Sequence, residues 1–213
     1  MTSLETRLVS GLQALGIPTS DAQRQKLLHF LQLLQKWNTA FNLSAVRDPL
    51  EMVGRHLLDS LTLQAWLGDS RLILDVGSGA GLPGIPLAIM NPDKSFVLLD
   101  SNGKKTRFLF QAKLALELPN ITVENSRIEH YQSPGQIDIV TCRAVSSLSG
   151  IVASCGHLIT KNTRLLAMKA EYPGGEIAEL PPEFQVTAVT AVTWPGSQAA
   201  RHIVEVRRWE QSN

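Results

Sequence analysis

The densest chemistry in the sequence lies between Asp75 and Gly84, where Asp-Val-Gly-Ser-Gly-Ala-Gly-Leu-Pro-Gly follows one apolar run and precedes another. Glycines at this density permit positive φ and let a ligand approach the backbone. Gly79, Gly81 and Gly84 satisfy G-x-G-x-x-G, a spacing that in nucleotide-binding folds ends a strand and opens a helix. A tight turn with no ligand is the bland alternative, but a turn alone does not call for so many residues of high chain entropy. Asp75 separates two cofactors. A carboxylate beside the pyrophosphate of NAD is repelled, whereas beside the ammonium of a methionine moiety it is attracted. Asp100 ends the next apolar run, where a carboxylate can accept hydrogen bonds from both hydroxyls of a ribose. Asp75, Gly77, Gly79 and Asp100 therefore read as a site for S-adenosylmethionine. NAD is disfavoured a second time, because a dehydrogenase needs a substrate domain and this chain completes its sheet at the C-terminus.

The residues that would act on an acceptor are sparse. Methylation of an amino group usually relies on an Asn- or Asp-Pro-Pro-aromatic motif at the fourth strand end, and here that end reads Thr141-Cys142-Arg143-Ala144. Carbon-5 methylation of a pyrimidine needs a thiolate; Cys142 lies at the right strand end, but no proline precedes it, and it reads as a small buried residue. The five histidines show no metal-ligand spacing, so no metal is expected. No general base or nucleophile is assigned. That absence is itself informative, because a ring nitrogen such as guanine N7 attacks with its free lone pair and needs only in-line positioning. Basic residues gather on the substrate side. Lys104 opens a helix just after Asp100, Arg143 and Lys169 end apolar strands, and Arg201 and His202 begin the last strand. Lys105 reads as a solvated helix face.

The elements that position these groups are legible from period and punctuation. Leu4, Leu8, Leu12 and Leu15 form a helical stripe ending at Gly16 and Pro18; Leu27, Leu31 and Leu34 form a second behind Ser20 and Asp21. Asp48-Pro49-Leu50-Glu51 predicts a third helix start, continued by Val53, Leu57 and Leu61 toward Trp66 and Gly68. From residue 71 short apolar strands (72–76, 95–100, 121–124, 137–142, 165–169) alternate with helices, as in a sheet covered on both faces. Two last runs, 184–194 and 201–209, are joined through Pro195-Gly196-Ser197 and must be antiparallel. The expected architecture is α/β, a Rossmann-like doubly wound sheet ending in an antiparallel hairpin (residues 69–213) behind an N-terminal helical cap (residues 1–68).

Composition excludes several classes. The 213 residues carry 20 Lys and Arg against 19 Asp and Glu, a net charge of +1, which does not fit a protein that coats nucleic acid electrostatically. Two cysteines make no disulfide framework. No signal peptide or membrane-length apolar run is seen, so a cytoplasmic protein is expected, and without an obvious extra apolar surface a monomer is expected.

Several segments together resemble the bacterial small-subunit rRNA (guanine-N7) methyltransferase G family, also called glucose-inhibited division protein B. They are Asn42 to Val46, Arg55-His56-Leu57-Leu58-Asp59-Ser60-Leu61, Asp75 to Pro86, Leu99-Asp100-Ser101, Gly103 to Leu109, Ser126 to Glu129, Arg143-Ala144, Met168-Lys169 and Arg201 to Val204. The Arg-His-x-x-Asp-Ser-Leu block and the Gly-Leu-Pro-Gly-Ile-Pro continuation are far more specific than the glycines. The resemblance implies a class I S-adenosylmethionine-dependent methyltransferase that methylates N7 of one guanine in 16S rRNA of the 30S subunit. It implies cofactor contacts at Gly77, Leu82, Ile128, Glu129 and Arg143, to which the residue chemistry adds Asp75, Gly79 and Asp100. Lys104, Lys169, Arg201 and His202 are the substrate-side candidates. The chain departs from the family at Cys142, where serine is frequent, and at Ala200, where an acidic residue is frequent. The Arg55-His56-Asp59-Ser60 cluster reads equally as a pin between cap and sheet or as part of the cofactor pocket. A small-molecule methyltransferase and a non-catalytic S-adenosylmethionine-binding regulator are the alternatives.

Overall fold

The structure is a computed structural model that describes residues 2–143, 146–197 and 200–209. Helix α1 (Ser3–Ala14) starts at Thr2, whose hydroxyl accepts from the Glu5 amide, and buries Leu8 and Leu12. Helix α2 (Asp21–Phe41) opens on a capping box: the Ser20 hydroxyl accepts from the Gln23 amide, and the Gln23 side chain accepts from the Ser20 amide. Its buried face carries Leu27, Phe30, Leu31 and Leu34. Each such side chain removed from water contributes roughly 1.5–3 kcal/mol, so these helices are held by packing rather than by propensity.

Helix α3 (Pro49–Met52) begins as the sequence predicts, with the Asp48 carboxylate accepting from the Glu51 amide. The helix expected from there toward Trp66 is continuous through Leu61 but not uniform, and a turn interrupts it before Gln64. Residues Val53–Leu58 wind as a π-helix and are followed by the short helices α4 (Asp59–Leu61) and α5 (Gln64–Leu67). Stretches of π-helix are rare and are frequently found at functional sites. Gly54 lies in this wide turn, and a Cβ there would stand 3.1 Å from the indole Nε1 of Trp194. Leucine periodicity carries no mark of the widened turn, which is why the sequence reads as one helix.

Seven strands follow: β1 (Leu72–Val76), β2 (Ser95–Leu99), β3 (Ile121–Glu124), β4 (Ile139–Arg143), β5 (Arg164–Lys169), β6 (Phe184–Val192) and β7 (Arg201–Arg208). They form one sheet in the order β3-β2-β1-β4-β5-β7-β6. Strands β1 to β5 run parallel, and β7 enters antiparallel between β5 and β6. The C-terminal hairpin is thus present, with its second strand joining the sheet first. Because β1 pairs with both β2 and β4, the crossovers leave it in opposite directions and a crevice opens at its carboxyl end.

Side-chain alternation divides the interior in two. Ile73, Phe96, Leu98, Ile139 and Leu166 pack with the N-terminal helices, α6 (Gly84–Met90) and α7 (Gly103–Ala115). Leu74, Val97, Val140 and Leu165 pack on the other face with Ile151, Val152 and Cys155 of α8 (Leu148–Cys155). The N-terminal helices and the sheet therefore share one core. A last short helix, α9 (Gly174–Ala178), precedes β6.

Candidate active site

Strand β1 delivers the chain into the glycine loop, where Gly77, Gly79 and Gly81 adopt φ of 66°, 57° and 79°. This left-handed region is open to glycine without strain. The loop hangs from β2. The amides of Gly77 and Ser78 donate to the Leu99 carbonyl at 2.8 and 3.0 Å, and the Gly79 amide donates to Asp100 Oδ2 at 2.9 Å. Asp100 Oδ1 accepts from the Asn102 amide at 2.9 Å, so one buried carboxylate fixes both the loop and the start of α7. Lys105 adds to the sequence reading. Its side chain is 40% exposed, as a helix-face residue's is, yet its Nζ also stands 3.7 Å from Asp100 Oδ2 and 4.0 Å from the position of a Gly79 Cβ.

Asp75 lies beneath the loop with no exposed surface. Its Oδ2 accepts from the Gly84 amide at 3.1 Å, while Oδ1 is buried with no partner among the described residues. Burial pushes the carboxyl up from 3.8 to about 7, against the opposing pull of Ser78, the Gly84 amide and the Arg143 charge. Gly84 has no room for a side chain, since a Cβ would meet Asp75 Oδ2 at 2.7 Å and strike Leu98. The start of α6 thereby closes onto the carboxylate. Of the other expected cofactor residues, Leu82 and Ile128 are buried and Glu129 is exposed on a single 3-10 turn after β3.

Arg143 at the end of β4 turns toward the N-terminal helices. Its Nη1 donates to Asp59 Oδ2 at 3.0 Å and to the Arg55 carbonyl at 3.1 Å. Arg201, first residue of β7, donates from Nε to Asp59 Oδ1 at 3.3 Å. Asp59 is 2% exposed, so a single buried carboxylate holds two guanidinium groups from distant strands. Around it His56 Nε2 lies 2.7 Å from the Ser44 hydroxyl, the Ser60 hydroxyl donates to the His56 carbonyl, and Asn38 brackets Ser44 through its amide and carbonyl. Burial, more than the nearby arginines, lowers the His56 imidazole to about 4 and keeps it neutral at physiological pH. Asn42 is set apart, capping α2 in the left-handed conformation and accepting from Arg47. The Arg55-His56-Asp59-Ser60 block was visible in the sequence; the two arginines its carboxylate would hold were not.

The remaining candidates divide. Lys169 is committed, with Nζ 2.7 Å from Glu176 Oε2 and donating to the Ser146 carbonyl. Burial raises the Glu176 carboxyl, but the bonds from Lys169 and the Leu148 amide outweigh it and hold the group below its usual range. His202 pairs with Lys169 across β5 and β7, meets Tyr172 edge-on at 5.9 Å, and keeps a buried Nδ1 without a partner among the described residues. Lys104 is exposed on the first turn of α7. Burial pushes the Cys142 thiol far up, so it stays protonated on the sheet's interior face. Ala144, which follows Arg143, lies outside the described residues. Among the described residues no three His, Cys, Asp or Glu side chains converge as a metal site, and no helix is long and apolar enough to cross a membrane.

Residues 23–204 match the GidB family, rRNA small subunit methyltransferase G. A protein called Ribosomal RNA small subunit methyltransferase G from Stutzerimonas stutzeri is 50% identical over 202 residues, which cover 94% of each chain. The chain belongs to the rRNA small subunit methyltransferase G family. A second family member, from Marinobacter nauticus, is 48% identical over 205 residues, 96% of this chain and 95% of its own. Among solved structures the family's sheet is matched by magnesium protoporphyrin IX methyltransferase from Synechocystis PCC 6803 with bound SAM. That structure has a TM-score of 0.61 at 18% identity, over 84% of this chain and 97% of its own. The ribosomal protein L11 methylase from Lactobacillus delbrueckii subsp. bulgaricus gives 0.56 at 12% identity, over 73% and 79%. The fold is therefore that of the class I methyltransferases, and the crevice beside β1 lies at the switch point where such sheets take ligands.

Proposed function

We propose that the chain transfers a methyl group from S-adenosylmethionine to N7 of a specific guanine in 16S rRNA of the small ribosomal subunit, without a metal or a covalent intermediate. Family membership supports the reaction class and the acceptor. The observation that carries the cofactor is the unpartnered, buried Oδ1 of Asp75 beneath a glycine loop that ends against Asp100. The donor set fits the molecule: a buried carboxylate oxygen for an ammonium, a second carboxylate for ribose hydroxyls, and half-buried glycine backbone between them at Gly77 and Gly79. Leu82, Ile128 and Glu129 frame the adenine end, and Arg143 stands at the opposite end of the crevice.

When bound, S-adenosylmethionine supplies a sulfonium methyl that a neutral ring nitrogen can take by direct displacement. The protein then needs to orient and to exclude water rather than to move protons. Its residues are suited to that. His56 is held neutral within a hydrogen-bonded network, the Cys142 thiol is held protonated, and neither titrates near neutral pH. Asp59 fixes Arg143 and Arg201 together, and two such guanidinium groups attract an acceptor with a phosphate backbone. Lys104 and His202 extend that basic edge, while Lys169 acts through its bond to Glu176 as a brace for the segment before α8. Positioning of this kind supplies up to roughly 7–11 kcal/mol in favourable cases.

The test is transfer of labelled methyl to three acceptors side by side: 30S subunits lacking the modification, free 16S rRNA and a pool of small metabolites. Label in one of the RNA acceptors is expected. Label confined to small molecules overturns the acceptor, and cofactor binding without any transfer overturns the activity.

A further inference from the structure

A second concavity lies beside the catalytic crevice, between α1, the π-helical turn and the β6–β7 connection. It encloses about 380 Å³ and is lined by Arg7, Arg55, Arg201, Trp194 and one carboxylate, Glu51. Its floor is opened by two glycines. A Cβ on Gly54 would lie 3.1 Å from the Trp194 indole Nε1, and one on Gly196 would lie 3.1 Å from Arg7 Nη2.

The wall is rich in donors and poor in acceptors. Among the described residues the Arg7 guanidinium forms no ion pair and the Trp194 N–H reaches no acceptor, although most of the Trp194 ring is buried. Arg55 has only a long contact to Glu51, 3.8 Å, and is 57% exposed. Arg201 spends its Nε on Asp59 and lies 5.6 Å from the Trp194 ring centroid, which leaves both terminal nitrogens for the pocket. Three cations around one carboxylate, with an indole N–H aimed among them, match a ligand that carries charge on several acceptor oxygens. The same Asp59 carboxylate that holds Arg201 holds Arg143, so the pocket is one residue removed from the cofactor crevice.

We infer that this pocket takes a backbone phosphate of the RNA acceptor, flanking the nucleotide that enters the crevice. The inference rests on the functional reading above and adds the residues that seat the RNA: Arg7, Arg55 and Trp194, from two helices and a turn. A phosphate gripped here fixes the register of the strand beside the target base without reading its sequence.

Arg7→Gln is the decisive variant, because Arg7 is exposed on α1 and its loss leaves the core untouched. With 30S subunits as acceptor, Arg7→Gln is expected to raise KM several-fold at 150 mM salt. The slope of log KM against log salt is expected to flatten by about 1, the signature of one lost phosphate contact. Saturating turnover and S-adenosylmethionine affinity by calorimetry stay at wild-type values. Trp194→Phe, which keeps the ring and removes the N–H, raises KM with no change in salt slope. Lys161→Gln, at an exposed position away from this pocket, changes neither. Wild-type KM and salt slope in Arg7→Gln overturn the pocket while leaving the methyltransferase reading intact, and so does a fall in cofactor affinity, which assigns the pocket to the cofactor. Absence of methyl transfer to any RNA by the wild-type protein overturns both.

Discussion

Asp75→Asn separates the stability of the fold from its function. In the folded protein the Asp75 carboxyl is raised from 3.8 to about 7 by complete burial. That rise corresponds to about 4 kcal/mol by which the charged form is disfavoured relative to the unfolded chain. A folded group that holds its proton more tightly than the unfolded one makes stability fall as pH climbs from about 4 to about 7, after which the loss is complete. Asparagine keeps the shape and cannot ionise, so it escapes this loss. Its NH2, placed where Oδ1 has no partner, introduces a penalty of about 1–3 kcal/mol that does not depend on pH. The stability of Asp75→Asn relative to wild type is therefore expected to improve by about 3 kcal/mol between pH 5 and pH 8, and at pH 8 the variant is the more stable protein. Urea unfolding of both proteins at the two pH values reads this directly. S-adenosylmethionine affinity, by calorimetry at pH 8, is expected to fall in the same variant. A stability difference that is the same at pH 5 and pH 8 refutes the buried-carboxylate reasoning.

Removing Asp59 leaves two guanidinium groups without their shared buried acceptor, so Asp59→Ala is expected to destabilise the fold by about 3 kcal/mol and to raise KM for RNA; unchanged urea midpoint and KM would show that the arginines need no tether. Cys142→Ala is expected to keep turnover within a few-fold, whereas a folded variant slowed by orders of magnitude would mean that the thiol reacts. Asp100→Ala is expected to weaken cofactor binding by about 1–3 kcal/mol, since its carboxylate also anchors the Gly79 amide; wild-type affinity would remove it from the site. Glu205 is held below the usual carboxylate range because bonds from Arg164 and Arg207 outweigh its burial. Wild type is therefore expected to exceed Glu205→Gln in stability at neutral pH, and the gap to close as pH falls through the folded value. A gap that persists in acid would refute the pairing.

Much of the frame was legible because it is local. Ser20 and Asp48 announce their helices by cap chemistry, the leucine stripes name the buried faces, and the Pro-Gly-Ser turn forces an antiparallel hairpin. The glycine loop between β1 and α6 was legible because Asp75 and Asp100 sit near strand ends whose order a doubly wound sheet dictates. What escaped is not local. The Asp59 carboxylate meets Arg143 and Arg201 only after the sheet closes, and no spacing rule connects them. The π turn at Val53–Leu58 leaves the leucine pattern intact while changing the backbone. Lys105 reads as one more surface lysine until α7 is docked and its ammonium falls over Asp100.

The central claim is direct transfer of the methyl group to a ring nitrogen of 16S rRNA. The most direct measurement is the identity of the methylated nucleoside in 30S subunits treated with the protein and labelled S-adenosylmethionine. After digestion and chromatography the account predicts all label in 7-methylguanosine, arising from one position of 16S rRNA. Label in an exocyclic-amino methylguanosine or in 5-methylcytidine would contradict it.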